Sequence, residues 1–227
     1  ITLAFLGDSV TQGCFELTAR RSGGVDVVYD GEAVYHNQVR KIFSLLCPNV
    51  PLAIINAGIC GATAKQGHER IATDVLPYRP DLAVVCYGLN DCKRGMDNLP
   101  NYQSDLTAIF DSLLENGSEV IFMTPNTLGE YVDESFTDSE LVQIATDVCT
   151  EKNQTTLDAY LDAAKAICRE KKIPVCDCHA NWKALRAAGI DTTALLSNKI
   201  NHPVREMHLM FAYELVKTML TQEESHE

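Results

Sequence analysis

Four short segments carry groups suited to acyl transfer. Gly7-Asp8-Ser9-Val10-Thr11-Gln12-Gly13 closes an apolar run, 2–6, with a serine hydroxyl at the point where a strand gives way to a turn. Glycines on either side permit a tight turn and close backbone approach. Taken alone, Gly-Asp-Ser is equally an ordinary turn, since Ser and Asp are common there. Ile55-Asn56-Ala57-Gly58-Ile59-Cys60-Gly61 ends a second apolar run, and Gly58 offers a backbone N–H with no side chain in the way. By itself it is a turn glycine. Val85-Cys86-Tyr87-Gly88-Leu89-Asn90-Asp91 ends a third, where Asn90 either aims its amide into the same crevice or caps a turn. His202, in Ser197-Asn198-Lys199-Ile200-Asn201-His202-Pro203, precedes a proline. That favours extended or turn backbone and suits an imidazole reaching in from a loop.

Ester cleavage needs a nucleophile, a base and two or more hydrogen-bond donors around one reacting carbon and its developing oxyanion. Parallel strands set successive carboxyl ends along one edge, so these segments can converge. In type and order they resemble the Ser, Gly, Asn and His blocks of the SGNH (GDSL-like) hydrolase family. The likeness runs from the first residues to His202, nearly the whole chain. It implies a flavodoxin-like three-layer α/β/α fold with a five-stranded parallel sheet. It implies Ser9 as nucleophile, His202 as general base, and an oxyanion hole from the Ser9 N–H, the Gly58 N–H and the Asn90 side chain. No metal or organic cofactor is called for. Carbohydrate or small-ester deacetylation is the activity it suggests first. A lysophospholipase or thioesterase is an alternative, and a catalytically weak carbohydrate-binding relative is another.

One position departs from the family. Many members carry Asp three residues before the histidine, where this chain has Lys199, with Asn198 one place earlier. Three explanations stand: a main-chain carbonyl near Asn198 or Lys199 orients His202, a carboxylate such as Glu206 or Asp177 arrives from elsewhere, or turnover is weak. The first is preferred, because orientation and tautomer are the acid's main contribution. Asp8 is expected to tie the turn together by accepting backbone hydrogen bonds. His208 is expected to pack on the last helix, and His36 and His68 to be structural or solvated.

Five apolar runs, 2–6, 52–56, 82–87, 119–124 and 173–177, read as strands of a sheet covered on both faces. Helical spacing links Tyr35, Val39, Ile42, Phe43 and Leu46, and again Tyr102, Leu106, Ile109, Phe110 and Leu113. Leu157, Leu161, Ala164 and Cys168 form a third stripe. A last helix is expected over about 206–220, burying Leu209, Phe211, Leu215 and Met219. Strands alternating with helices predict one doubly wound domain over 1–222, with 223–227 a flexible tail. Stretches 14–32 and 126–154 stand outside this pattern, as substrate-facing loops or as surface insertions; their polar composition is compatible with a polar substrate.

The net charge of −12 comes without a basic stripe, which argues against nucleic acid. No run is long enough to span a bilayer. Nine cysteines, several inside apolar runs, suit a reducing cytoplasm, although a removed N-terminal leader is compatible with a chain that opens in a strand. Cys176, Cys178 and His179 lack a second ligand pair and read as buried groups rather than a metal site. The expected partner is a small-molecule or carbohydrate ester; the oligomeric state is not legible.

Overall fold

The computed structural model describes residues 1–221; the expected tail, 223–227, and residue 222 lie outside the described residues. Five parallel strands make the central sheet: β1 (Thr2–Gly7), β4 (Ala53–Gly58), β5 (Leu82–Cys86), β6 (Glu119–Met123) and β7 (Val175–Cys176), in the order β4-β1-β5-β6-β7. Leu3 to Leu6 and Ala83 to Cys86 are buried on both strand faces, so their continuous apolar character follows from cover on each side.

The first crossover, through α2 (Tyr35–Leu46), carries the chain from β1 outward to β4. The second, through α3 (Ala64–Asp74), returns it past β1 to β5. Right-handed crossovers in opposite directions put these helices on opposite faces. On one face α2 packs against α8 (Arg205–Leu220); on the other, α3 packs against α4 (Leu99–Glu115), and α4 against α6 (Glu151–Lys171). The strand order reverses between β1 and β5, and a crevice opens at the carboxyl ends of strands diverging in this way.

Two expectations about burial change. Leu46 and Leu209, assigned to apolar faces, are exposed, whereas Phe211 and Leu215 are fully buried. Each exposed leucine sits at the margin of its helix stripe.

The stretches outside the alternating pattern are structured. The first holds an antiparallel hairpin, β2 (Cys14–Ala19) with β3 (Val25–Tyr29), not seen in the sequence reading. The second holds α5 (Ser139–Val148), whose N-terminus is capped by Asp138. The Gly24 N–H donates to Glu140 Oε2 at 2.7 Å, joining hairpin to helix. A short α7 (Cys178–Ala187) follows β7.

Candidate active site

Ser9 follows β1 directly and opens α1 (Ser9–Gln12), a single turn. Asp8 caps it: Oδ1 accepts the Val10 N–H at 3.0 Å, as expected for a turn-forming aspartate. Gly13 ends the turn at φ 98°, a left-handed conformation that glycine adopts without cost. Arg70, absent from the sequence reading, braces the strand ends from α3. Its Nη2 donates to the carbonyls of Gly7 (3.1 Å) and Ala57 (2.6 Å) and to the Tyr87 hydroxyl (3.0 Å).

His202 comes from the loop before α8, and its Nε2 lies 2.9 Å from Ser9 Oγ. On the opposite side of the ring, Nδ1 lies 2.8 Å from the carbonyl oxygen of Phe15. This fixes the tautomer: Nδ1 carries the hydrogen and donates to the carbonyl, leaving Nε2 as acceptor for the serine hydroxyl. Both residues are buried, Ser9 at 2% and His202 at 3% exposure. Burial pushes the imidazole down to about 4, against the opposing pull of the Phe15 hydrogen bond. His202 is therefore neutral, a base in waiting, at neutral pH.

The orienting carbonyl is not where the sequence suggested. The Lys199 carbonyl faces the Cys149 thiol at 3.8 Å, and the Lys199 ammonium donates to Ala194 O at 3.1 Å. Asp177 caps α7 and pairs with Lys165 at 2.6 Å; Glu206 lies in the first turn of α8. Phe15 serves because β2 slips register against β3 between Cys14 and Leu17. A bulge there leaves its carbonyl outside the ladder and turns it toward the site. Arg205 pins the bulge, stacking 4.4 Å over the Phe15 ring and pairing with Glu16 at 2.6 Å and Asp30 at 2.9 Å. Asn198 has a separate task. Its Oδ1 accepts three N–H groups, from Ile200 (3.0 Å), Asn201 (2.9 Å) and His202 (2.9 Å), and so shapes the loop that delivers the imidazole.

Asn90 reaches the site from the end of β5. Its Nδ2 donates to Ala62 O at 3.0 Å and, over a long 3.5 Å, to Asp8 Oδ2; the hydrogen on the long bond is the one an oxyanion beside Ser9 can draw away. Burial raises Asp8 to about 7 and Asp91 to about 6. Asp91 Oδ1 accepts the Ala64 N–H at 2.9 Å.

Gly58 does not face the site. Its N–H is taken by Asn56 Oδ1 at 3.0 Å, and its α-carbon packs on α1 so closely that a Cβ would sit 2.2 Å from Gln12 N. The absence of a side chain there serves the contact between strand and nucleophile turn. Gly61, three residues on, lines the cavity instead. The backbone N–H groups of Ser9 and Gly61 have no protein partner among the described residues. The clue lay in the same quoted segment, where two glycines stand three apart.

The cavity at Ser9 and His202 is about 190 Å³. Leu17, Val25 and Val27 of the hairpin and Ile144 and Val148 of α5 form its apolar wall, so both excursions face the site. The stretch 126–154, polar in overall composition, contributes apolar residues to the cavity lining, Ile144 and Val148. A second cavity, about 180 Å³ and lined by Leu3, Leu52, Leu82 and Met219, lies at the opposite end of the strands, far from the chemistry.

Among the described residues no three His, Cys, Asp or Glu side chains gather as metal ligands. Cys176 and Cys178 contact each other at 3.6 Å, and His179 turns to Asp158 at 2.7 Å. His208 is fully buried, its Nδ1 accepting the Tyr35 N–H at 3.1 Å, and His36 bonds Thr11 O at 3.2 Å. Neither approaches Ser9. No helix of the described residues is long and apolar enough to cross a membrane.

A buried serine–imidazole pair at the switch point of a doubly wound sheet defines the class. The chain belongs to the GDSL-like Lipase/Acylhydrolase family, whose profile matches residues 5–209. An acetylxylan esterase from Geobacillus stearothermophilus is 26% identical over 132 residues, 54% of this chain and 58% of that protein. The matched segment thus spans under two thirds of that relative's length. A solved acetylxylan esterase of the same organism superposes with a TM-score of 0.72 at 21% identity, covering 96% of this chain and 93% of the other. A lipase/acylhydrolase from Enterococcus faecalis gives 0.68 at 21%, covering 96% and 94%. The fold is therefore shared. Catalytic mutants of the Geobacillus esterase have been solved with alanine replacing a serine, an aspartate and a histidine, the aspartate three positions before the histidine.

Proposed function

We propose that this protein is a serine esterase that removes short acyl groups, chiefly acetyl, from carbohydrates. The observation that carries the reading is the Ser9 Oγ–His202 Nε2 contact of 2.9 Å with Nδ1 held by a main-chain carbonyl. Family membership and the likeness to acetylxylan esterases support it.

Ser9 attacks the ester carbonyl as His202 Nε2 takes its proton. The resulting oxyanion is met by the N–H groups of Ser9 and Gly61 and by the Asn90 amide. Gly61 replaces Gly58 in this role because its N–H is uncommitted. His202 then hands its proton to the departing alcohol. Water, deprotonated by the same imidazole, releases the acyl group from Ser9. General-base help contributes about 10²–10⁴-fold, and one oxyanion donor about 10²–10³-fold. The imidazolium formed in flight is stabilised by the Phe15 carbonyl dipole instead of a carboxylate. The result is a dyad.

The cavity of about 190 Å³ is smaller than the roughly 300–1,000 Å³ typical of drug-sized ligands, which favours a short acyl group. Its apolar wall favours a second reading, an esterase for longer acyl chains such as those of lysophospholipids or thioesters. The test is a panel of acetylated xylo-oligosaccharides and 4-nitrophenyl esters of rising chain length, run on wild type and Ser9→Ala. Highest kcat/KM on acetyl substrates supports the first reading. A maximum at long chains transfers the assignment to the second, and absence of hydrolysis throughout leaves a carbohydrate-binding relative.

A further inference from the structure

Two thiols flank the site on different elements. Cys14 opens β2, one residue before the carbonyl that orients His202. Cys60 lies after β4, one residue before Gly61, and lines the cavity with Ser9 and His202. Gln12 gathers them: its Oε1 accepts the Cys60 N–H at 2.6 Å and the Cys14 thiol at 3.7 Å. Both cysteines thus lie against one side-chain oxygen. Cys60 is exposed and Cys14 fully buried, so one meets solutes and the other waits behind it. Acyl transfer uses neither. The other adjacent pair, Cys176 and Cys178, is wholly buried and lacks such access.

The neighbouring Cys14 thiol, aided by the charge of Lys93, draws the Cys60 thiol below the ordinary thiol range against the effect of burial. The thiolate is the nucleophile, so the exposed Cys60, with its thiol drawn down, is the attacking sulfur, and the buried Cys14, with its thiol pushed up, is the resolving one.

We propose that Cys60 and Cys14 form an oxidisable dithiol at the rim of the catalytic cavity, in which a hydroperoxide oxidises Cys60 and Cys14 resolves it to a disulfide. The Cys60 thiolate sulfur attacks a peroxide oxygen. The O–O bond breaks, hydroxide leaves, and Cys60 becomes a sulfenic acid. The Cys14 sulfur then attacks the sulfenyl sulfur: an S–S bond forms, the S–O bond breaks, and the departing hydroxide takes the Cys14 proton as water. Overall two thiols lose two electrons and two protons, and hydrogen peroxide takes up both and is reduced to two waters. A reducing dithiol reverses the step by exchange.

The bond has a consequence for turnover, which rests on the esterase reading. A disulfide requires sulfur atoms about 2.05 Å apart, closer than any unbonded pair of thiols. Closing that gap draws the Gly61 loop toward the bulge that carries Phe15. A displacement of about 1 Å in such groups can cost about 10²-fold in rate.

The test treats folded wild type with hydrogen peroxide, blocks remaining thiols with iodoacetamide, and maps peptides by mass. A Cys14–Cys60 linked peptide is expected, with 4-nitrophenyl acetate turnover down about tenfold or more and restored by dithiothreitol. In Cys14→Ser, Cys60 is expected to be trapped as a sulfenic acid by dimedone; in Cys60→Ser, neither species forms. Alkylated Cys60 after peroxide treatment, or Cys60 joined to a different cysteine, overturns the proposal. A linked peptide with unchanged turnover overturns the control of activity. Mass mapping needs no turnover, so failure of the dithiol and failure of the esterase reading are separately visible. If Cys14→Ser does not fold, the wild-type map decides alone.

Discussion

The carbonyl oxygen of Phe15 lies 2.8 Å from Nδ1 of His202, so the main chain of a bulged strand stands where a carboxylate is usual. No acidic side chain is then needed to hold the imidazole. Glu206→Gln and Asp177→Asn should each leave kcat within about threefold of wild type, while His202→Ala should lower it about 10²–10⁴-fold. Steady-state kinetics on 4-nitrophenyl acetate reads the difference. A large loss in either carboxylate variant would identify a hidden acid.

Arg205 acts on the base through Phe15 and is a positioning residue. Arg205→Met should lower kcat more than it raises KM, because the bulge loosens while the cavity wall stays in place. Arg205→Lys, which restores a cation between Glu16 and Asp30 but not the planar stack on Phe15, should recover part of the rate. Equal kinetics in all three proteins would remove the ion-paired arginine from the account.

Asn198→Ala should be costly to the fold, since it strips one acceptor from three N–H groups in a buried loop. Leaving buried donors unpaired typically costs about 1–3 kcal/mol each before water or relaxation restores them. Asn198→Asp keeps the acceptor and should be far milder. Denaturant unfolding separates the two. The loss of kcat in Asn198→Ala should nevertheless be smaller than in His202→Ala, because the imidazole itself remains.

The two glycines should part company. Gly58→Ala forces a Cβ to 2.2 Å from Gln12 N and should destabilise the fold by about 1–3 kcal/mol or more. Gly61→Ala meets no atom within 4 Å but sits at φ 77°, so it should fold with modest strain and lose rate through its displaced N–H. A fully active, stable Gly61→Ala would argue against that N–H as an oxyanion donor.

Acid should act on rate and stability by different groups. His202 must be neutral to accept the Ser9 proton, so the acid limb of kcat/KM should lie near pH 4 instead of the ordinary imidazole range near 6.5. Burial also lowers His36 to about 4 and His208 to about 3. Unfolded imidazoles bind protons below about 6.5 while the folded ones refuse them, so stability present above 6.5 is lost as pH falls toward 4. The raised carboxyls of Asp8 and Asp91 work the other way, favouring the fold as they protonate between about 7 and 4. His208→Asn keeps an acceptor for the Tyr35 N–H and removes one titrating ring; its unfolding free energy should fall less steeply with acid.

Much of this was legible in the sequence. Continuous apolar runs marked all five sheet strands; in β1, β5 and β6 burial on both faces removes polar alternation, and the half-exposed edge strand β4 still carries an apolar run. Ser9, Asn90 and His202 stood out because each follows a run or precedes a proline at a point where the backbone must turn. The orienting carbonyl was not legible. Any residue can supply one, and the bulge that frees it at Phe15 depends on the register of β2 against β3, which neither strand's own sequence specifies. The two glycines three apart flagged both candidates, but the choice between Gly58 and Gly61 turns on which N–H the Asn56 side chain occupies and which face meets α1. Arg70 and Arg205 act through carbonyls and rings brought together only by the fold.

The most direct test is covalent labelling with a 4-nitrophenyl alkylphosphonate, followed by peptide mass mapping. One adduct is expected, on Ser9, formed rapidly in wild type, slowly in His202→Ala and not at all in Ser9→Ala. Labelling of another serine at the same rate, or undiminished ester turnover in Ser9→Ala, would contradict it.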